Sequence, residues 1–565
     1  MMDWLRKHSW FIILLVGLVI INLLGSYYFG RIDLTEEKRY TLSQATKGLL
    51  EEVDGAIFIQ ILLEGELPAD FKRLKQDAIE MLQDFRATND ELTFTVLDPL
   101  FGEPDQVADR LEDWSKVGIL PTELNIRSQD GQARKRIYPF AIFNYGDRQI
   151  AINLLEGNTE GMSPEVAINN SVSLLEYKFA NAIAKLMADH KPNIVFSQGQ
   201  GELTPIQTAS LKGNLSAFYN VGNVYLDSIV QIPEDVAALI VAKPTEQFTD
   251  KDLFKIDQYV MRGGRVVFLH DPMVVSLDSI GKYGQYVPYN NETNLEDLLF
   301  RYGCRVVPNL VLDLESSMIP MSKGRPTQNN QPQLFQWYYH PLASGFGDHP
   351  IVKGLDRIDL QFPATVDTVK TKTAISKVPL LTSSAYTRLQ YSPVILDFSI
   401  LSKAPDEAKF NAGPQKLAWL LEGPFTSLFK NRVTTQMQAG LKELGTTFLD
   451  EGAPAKIIIV GDGDVARNAI NPLNGQVRPL GYNRYVNYTF DNMDFLTNCL
   501  EYLLDRKGLI DSRAKNVKLR LLDRPKIQAE KTKWQIINVL VPLFLLIFSG
   551  FVFQYLRRRK FGVKL

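Results

Sequence analysis

The sequence predicts an α/β protein in which apolar helices at both ends flank a large external region. Three observations lead there: charge-free apolar runs at the two ends, apolar strands alternating with amphipathic helices between them, and the composition of a folded chain. Of 565 residues, 45% are hydrophobic and 22% charged, which excludes a disordered chain. The 62 Lys+Arg against 64 Asp+Glu leave a formal charge of −2, without the basic excess of a nucleic-acid binder, so no nucleic-acid partner is expected. Two cysteines exclude a disulfide-stapled scaffold and a cysteine-rich zinc site; no metal and no cofactor is expected.

The first apolar run, WFIILLVGLVIINLLGSYYF, covers 10–29 and carries no charge between Lys7 and Arg31. The second, WQIINVLVPLFLLIFSGFVFQYL, covers 534–556 between Lys533 and Arg557. At 1.5 Å per residue, about 20 residues cross a hydrocarbon core of about 30 Å, so 1–30 and 534–556 read as transmembrane helices. Aromatics sit at the ends of both, where rings favour the interface. A cleaved signal peptide competes for the first run, with Gly25-Ser26 as its one small-residue pair, but no A-x-A-like site follows. Arg557, Arg558, Arg559 and Lys560 directly after the second run pin the 557–565 tail to the cytoplasm. Two spans then place the N-terminus there too, with everything between them outside. The basic stretch 506–533 lies on that outer side, as a solvated stalk or as a surface meeting lipid headgroups or a partner.

Residues 31–162 read as a first external domain. Thr41-Leu-Ser-Gln44 fits a capping box opening a helix. AIFIQILLE (56–64), a helical pattern through Phe71, Leu74, Ala78, Met81, Leu82 and Phe85, and LTFTVLDP (92–99) make a β-α-β unit, compatible with a thioredoxin-like layer. No Cys-x-x-Cys accompanies it, so redox chemistry has no support. Residues 123–155, with turns at Asp130-Gly131 and Gly146-Asp147, read as an antiparallel meander closing this domain.

Ser163-Pro164-Glu165 opens a connecting helix over 163–190 with Val172, Leu175, Phe179, Ile183 and Leu186 on one face. Residues 191–505 read as a second α/β domain with a less regular insertion at 315–450. Strands at 193–198, 223–227, 236–244 and 265–272 alternate with helices at 203–219 and from Thr249 to Gly263-Gly264, and the pattern returns at 455–468 and in a helix from Asp491 to Leu504. Continuous apolar strands of this kind belong to a parallel sheet covered on both faces.

No Gly-x-x-x-x-Gly-Lys-Ser/Thr, Gly-x-Ser-x-Gly or His-Glu-x-x-His stretch occurs, so no nucleotide hydrolysis and no catalytic residue is assigned. The carboxyl ends of parallel strands are where open α/β sheets bind ligands. There the sequence places Gln198, Gln200 and Glu202 after one strand, His270 and Asp271 after another, and Asp462 and Asp464 after a third. These seven can line one crevice. Strand ends also need polar, turn-forming residues for their own sake, and that plainer account stands beside it. Cys304 and Cys499 read as buried small apolar residues, with a disulfide between them left open.

Several segments resemble the GldG family of gliding-motility-associated ABC transporter accessory proteins of Bacteroidota. They are RIDLTEEKRYTLS (31–43), KPNIVFSQGQGEL (191–203), RVVFLHDP (265–272), LLTSS (380–384), WLLEGPFTSLF (419–429), IVGDGD (459–464), NMDFLTNCLEYLLD (492–505) and LRLLDRPKI (519–527). The resemblance implies a bacterial inner-membrane protein with its bulk in the periplasm, partnered by a permease and, through it, a cytoplasmic ATPase. It also implies that the second domain is similar to class I glutamine-amidotransferase-like, Rossmann-like domains and to sugar-binding ones. The amidotransferase cysteine is missing, so that catalysis does not carry over.

The leading expectation is a non-enzymatic subunit docked on a permease, its partners being that permease, the lipid bilayer and an envelope glycan or another periplasmic protein. The alternative is a glycan-binding module using the crevice. A hydrolase with paired carboxylates there is a third reading.

Overall fold

The β-α-β unit near the start forms as its apolar pattern dictates. The computed structural model describes residues 41–128, 131–156, 164–321, 333–401, 404–443, 445–471, 473–505, 507–514 and 524–562, with residues 14, 16–20 and 22. It divides into two units, Met1–Asn516 and Val517–Leu565. In the first, helix α1 (Gln44–Glu51) is capped by Ser43, whose hydroxyl accepts the Thr46 N–H, two residues beyond the expected Thr41. The shift has a cause: Glu176 accepts hydrogen bonds from the Ser43 N–H at 2.7 Å and the Thr46 hydroxyl at 2.9 Å.

Strand β1 (Ile57–Ile61) and strand β2 (Leu92–Val96) pair in parallel across helix α2 (Ala69–Thr88). Helix α3 (Pro104–Lys116) buries no residue, which explains why no apolar face announced it. The expected meander is instead two hairpins. Strands β3 (Thr122–Ser128) and β4 (Gly131–Ile137) pair only with each other, while β5 (Phe140–Tyr145) joins β1 and β6 (Arg148–Asn153), giving the order β2-β1-β5-β6. Phe140–Phe143 is buried throughout and needs the centre of a sheet. The other hairpin has no such apolar run, and its Arg136 is exposed.

Helix α4 (Pro164–Met187) is more than a connector. Its Leu175, Phe179, Ile183 and Leu186 complete the core of this first layer, with Phe179 ringed by Phe85 and Phe143 at 6.1 and 5.4 Å. Ser163 lies outside the described residues.

The second sheet uses β7 (Asn193–Gln198), β8 (Asn220–Tyr225), β9 (Val236–Ala242) and β10 (Arg265–Leu269). It then takes β11 (Ser316–Met321), β12 (Gln333–Gly345), β13 (Ser376–Thr382), β14 (Lys416–Thr426) and β15 (Glu451–Val460). Five of them run parallel in the order β8-β7-β9-β10-β15, and β14, β13, β12 and β11 continue the sheet antiparallel beyond β15. The region read as an irregular insertion therefore supplies four strands of the same sheet. Helix α5 (Ala209–Ser216) is shorter than the expected 203–219. Helix α6 (Asp250–Met261) is capped as expected by the Thr249 hydroxyl.

Alternate strand residues feed two cores. Ile240 and Ile458 face one side with helix α8 (Asn492–Leu504), which lies beyond α7 (Leu295–Tyr302) in the chain; Leu239 and Ile457 face the other with α6 and α7. Cys499 and Cys304 are free, buried, and members of these opposite cores, so they cannot bridge. Of the expected stalk, a short turn at Leu509–Ala514 packs instead: Ile510, Ser512 and Arg513 are buried, and Arg513 lies 3.5 Å from Glu156.

The second unit is helix α9 (Arg524–Phe561), with Pro542 inside it and Arg558, Arg559 and Lys560 in its last turn. Its segment Glu530–Lys560 is long and apolar enough to cross a membrane, alone in this among the described residues. The N-terminal run lies almost entirely outside the described residues.

Candidate functional site at the carboxyl edge of the parallel strands

Strand order decides where a ligand crevice opens. The order β8-β7-β9-β10-β15 reverses direction between β7 and β9, the position at which doubly wound sheets leave space above their carboxyl ends. Asp271, Asp462 and Asp464 converge on that edge, their nearest oxygens all within 4.8 Å of one another and all three residues buried. Lys243, the first residue beyond β9, reaches into them. Its Nζ is 3.0 Å from Asp271 Oδ2 and ion-paired with Asp464, and Arg467 approaches the other Asp464 oxygen at 3.4 Å. Backbone N–H groups complete the cluster: Gly463 donates to Asp271, Asp464 to Asp462 Oδ1 at 2.7 Å, and Gln361 to Asp462 Oδ2 at 2.7 Å.

The Gly461-Asp-Gly-Asp464 spelling follows from this packing. A Cβ on Gly463 would lie 2.6 Å from Lys243 Cβ, and one on Gly461 would lie 2.4 Å from the Ala364 carbonyl oxygen. Lys243 itself sits at φ +55°, a left-handed conformation unfavourable for a side chain of its size. The ion pairs hold it there.

Burial, reinforced by Asp271 and Asp464, pushes Asp462 well above the usual carboxylate range, which favours its neutral form. Burial also raises Asp271, against the pull of Lys243. For Asp464 burial is outweighed by Lys243 and Arg467, which hold it low. Burial works against the Lys243 ammonium, and Asp271 and Asp464 more than restore it. Lys243 thus supplies internally the positive charge a metal ion would bring to three carboxylates.

The other predicted residues are placed differently. His270 is wholly buried: its N–H continues the strand pairing to the Val460 carbonyl, so its side chain leaves on the face opposite Asp271. There Nε2 lies 3.3 Å from Glu296 Oε1, outside hydrogen-bonding geometry. His270 therefore does not line the crevice. Gln198 donates to the Ser197 carbonyl at 2.8 Å, and the Gln200 N–H to Glu202 Oε2 at 2.7 Å. The Gln200 carbonyl accepts from Thr245 and Glu246, both at 2.9 Å. Gly201, at φ +71°, permits this turn, since a Cβ would lie 2.2 Å from Thr245 Oγ1. Lys243 and Arg467 carry no motif that marks them in the sequence. The signal available was a lone lysine ending the apolar run VAALIVA before a proline, the same position Asp271 holds before Pro272.

Residues 191–499, more than half of the chain, match the model of a family described as an ABC-type uncharacterized transport system. The chain belongs to that family. The match covers the whole parallel sheet and the antiparallel extension. A second model, a domain of unknown function, matches residues 36–144, the first sheet and its helices. An uncharacterized protein of Borreliella burgdorferi is 21% identical over 465 residues, spanning 79% of this chain and 84% of that one. Among solved structures, the mmIFT52 N-terminal domain is 13% identical, covers 55% of this chain and 96% of its own, and has a TM-score of 0.30. The exo-beta-1,4-mannosidase Op5Man5 from Opitutaceae bacterium strain TAV5 is 11% identical, covers 53% and 35%, and has a TM-score of 0.19. Likenesses this low bear on neither fold nor function. Membership of the ABC-type family makes this chain an accessory of a transport system, associated with a transporter complex.

Proposed function

We propose that this ABC-type family member is a non-enzymatic, membrane-anchored subunit held against a permease and coupled through it to a cytoplasmic ATPase, of the GldG kind that serves gliding motility. The single observation that carries the reading is the family match over 191–499. Helix α9 supports the anchoring: Glu530–Lys560 is apolar enough to span, and Arg557 to Lys560 at its end favour a cytoplasmic C-terminus. In this reading the N-terminal run is a second span, both termini are cytoplasmic, and the sheets stand in the periplasm of a bacterial inner membrane. The carboxylate cluster supports a role without catalysis, because Lys243 and Arg467 already neutralise it.

The test is purification of the chain from native membranes in mild detergent, with its companions identified. A multi-span permease and an ATPase are expected. A lone stable monomer would count against the proposal.

Envelope-glycan binding in the crevice is a second reading, favoured by one observation. Gln200 Oε1 and Glu202 Oε1 are buried and have no hydrogen-bond partner among the described residues. Glycan binding that survives Glu202→Gln unchanged would remove it.

A further inference from the structure

A cleft of about 520 Å³ opens on the far side of Asp464, between the antiparallel strands and the small hairpin formed by Tyr482–Asn483 and Tyr488–Thr489. Its lining shares Gln361, Asp464 and Arg467 with the carboxylate cluster, but the transport reading rests on the family match rather than on the cleft, so cleft and transport role stand or fall separately.

Two lining residues carry polar atoms that the fold leaves unused. His340, on β12, is 6% exposed, and its Nε2 has no hydrogen-bond partner among the described residues. Asp359, on the short strand Ile358–Asp359 that pairs with β12, has a buried Oδ1 that is likewise unpartnered. Neither is loosely held. Asn492 clamps the Asp359 backbone from both sides, accepting its N–H at 3.0 Å and donating to its carbonyl at 2.8 Å. His340 packs edge-on against Phe362 with ring centroids 5.0 Å apart. Buried polar atoms are normally satisfied, and leaving one unpaired costs about 1–3 kcal/mol. Two in one cleft mark a place where a ligand completes the bonding.

The lining also carries positive charge. Arg467, Arg478 and Arg484 all belong to it. Arg467 is committed to Asp464, and Arg484 donates to the Tyr485 hydroxyl at 2.6 Å. The Arg478 guanidinium lies 5.9 Å from the Tyr482 ring centroid and makes no side-chain hydrogen bond among the described residues. A planar fork of five donors is the group best suited to a carboxylate or phosphate. Asn483 fastens the hairpin over the cleft by donating to Ser317 Oγ at 3.0 Å, so the lining is pre-formed.

We infer that this cleft binds a small hydroxylated anion, a sugar acid or sugar phosphate, with the anionic group on Arg478 and hydroxyl groups bonded to His340 Nε2 and Asp359 Oδ1. The carboxylate and phosphate forms share this chemistry, and separate arms of the test distinguish them.

The experiment is calorimetric titration of the full-length protein in detergent with glucuronate, glucose 6-phosphate, glucose and inorganic phosphate. Saturable binding of glucuronate or glucose 6-phosphate is expected, each at least tenfold tighter than glucose and inorganic phosphate; whichever of the two binds more tightly names the anion. Arg478→Gln, on a partly exposed side chain, should weaken that binding roughly tenfold or more, as loss of a charge-assisted hydrogen bond does. Asp359→Asn, which keeps the shape of the side chain, should weaken glucose 6-phosphate or glucuronate without changing inorganic phosphate. The thermal midpoint of each variant without ligand establishes that it is folded. No saturable binding by either hydroxylated anion would overturn the inference. So would equal affinity for inorganic phosphate and the sugar phosphate, or binding indifferent to both substitutions.

Discussion

Lys243 Nζ and Asp271 Oδ2 lie 3.0 Å apart where strands β9 and β10 end, with Asp271 buried and Lys243 partly exposed. The pair is one side of a wider arrangement, since the same ammonium bonds Asp464, which Arg467 also approaches. Two cations face the three carboxylates, with Asp462 and Asp271 raised by burial and Asp464 held low, so most of the charge of the cluster is met from within. This is the arrangement of a structural latch joining three parallel strands. It also leaves little for a metal or a substrate to neutralise.

Breaking the latch on one side should therefore cost more than removing it. Lys243→Met leaves buried Asp271 without a cation and Asp464 with Arg467 alone, and about 3–5 kcal/mol of unfolding free energy should be lost. Adding Asp464→Asn to that variant should recover part of the loss. Denaturant titration followed by tryptophan fluorescence measures both, and a double variant no more stable than the single one would refute the latch.

Gly463 tests the packing independently of the charges. With Lys243 Cβ only 2.6 Å from where its own Cβ would stand, Gly463→Ala should cost about 1–3 kcal/mol by overpacking. Gly222→Ala on β8, where nothing lies within 4 Å, is the control and should stay within about 0.5 kcal/mol of the parent. Similar losses in the two variants would show that the close approach is not what fixes Gly463.

Lys243 and Gly463 also show what local sequence can and cannot carry. Strands such as VAALIVA and IIIV were legible because unbroken apolar runs fit a sheet covered on both faces, and the Thr249 cap was legible because its partner Asp252 is three residues away. The acidic strand ends were legible for the same reason. Lys243 was not, because its meaning depends on Asp464, 221 residues along the chain. The antiparallel extension hid similarly: QLFQWYYHPLASG alternates poorly, and its place in the sheet is set by β11 and β13 rather than by its own pattern. His340 lies in that stretch and Asp359 on the short strand paired with it, and neither carries a motif.

Those two residues should give opposite pH signatures. Burial pushes Asp359 up to about 7 from 3.8, so the folded state binds the extra proton between those values. Its contribution is full below about pH 4 and is lost as pH rises toward 7. Burial pushes His340 down to about 4 from 6.5 despite Asp464 nearby, so the unfolded state binds the extra proton and stability falls as pH drops through that window. Thermal midpoints across pH 4–7 should thus decline less with rising pH in Asp359→Asn, and should fall less on acidification in His340→Gln. Parallel profiles for the parent and both variants would contradict this.

The basic end of α9 makes a topological prediction. Replacing Arg557, Arg558, Arg559 and Lys560 with serine removes the charges that retain a terminus in the cytoplasm. Alkaline phosphatase fused at the C-terminus should be inactive on the parent and partly active on the variant. Activity on the parent would reverse the proposed orientation.

Glu501 on α8 joins the two sheets of the first unit through helix α4, accepting from Lys185 at 2.6 Å, from Asn181 at 3.0 Å and from the Tyr177 hydroxyl. Burial opposes its charge, but Lys185 and Tyr177 hold its carboxyl below the usual range. Its contribution is therefore present above the ordinary carboxylate pKa and is lost as pH falls below it. Glu501→Ala leaves the partly exposed Lys185 without its carboxylate partner and should cost about 1–3 kcal/mol. Glu501→Gln keeps an acceptor for Asn181 and Tyr177, and should cost less. Because the contact ties α4, a core helix of the first sheet, to α8 of the second, the damage should appear as separation of the two regions. Limited proteolysis should cut the Ala variant near residues 188–192, between α4 and β7, sooner than the parent. Cleavage no faster there, with stability intact, would show that apolar packing alone joins the sheets.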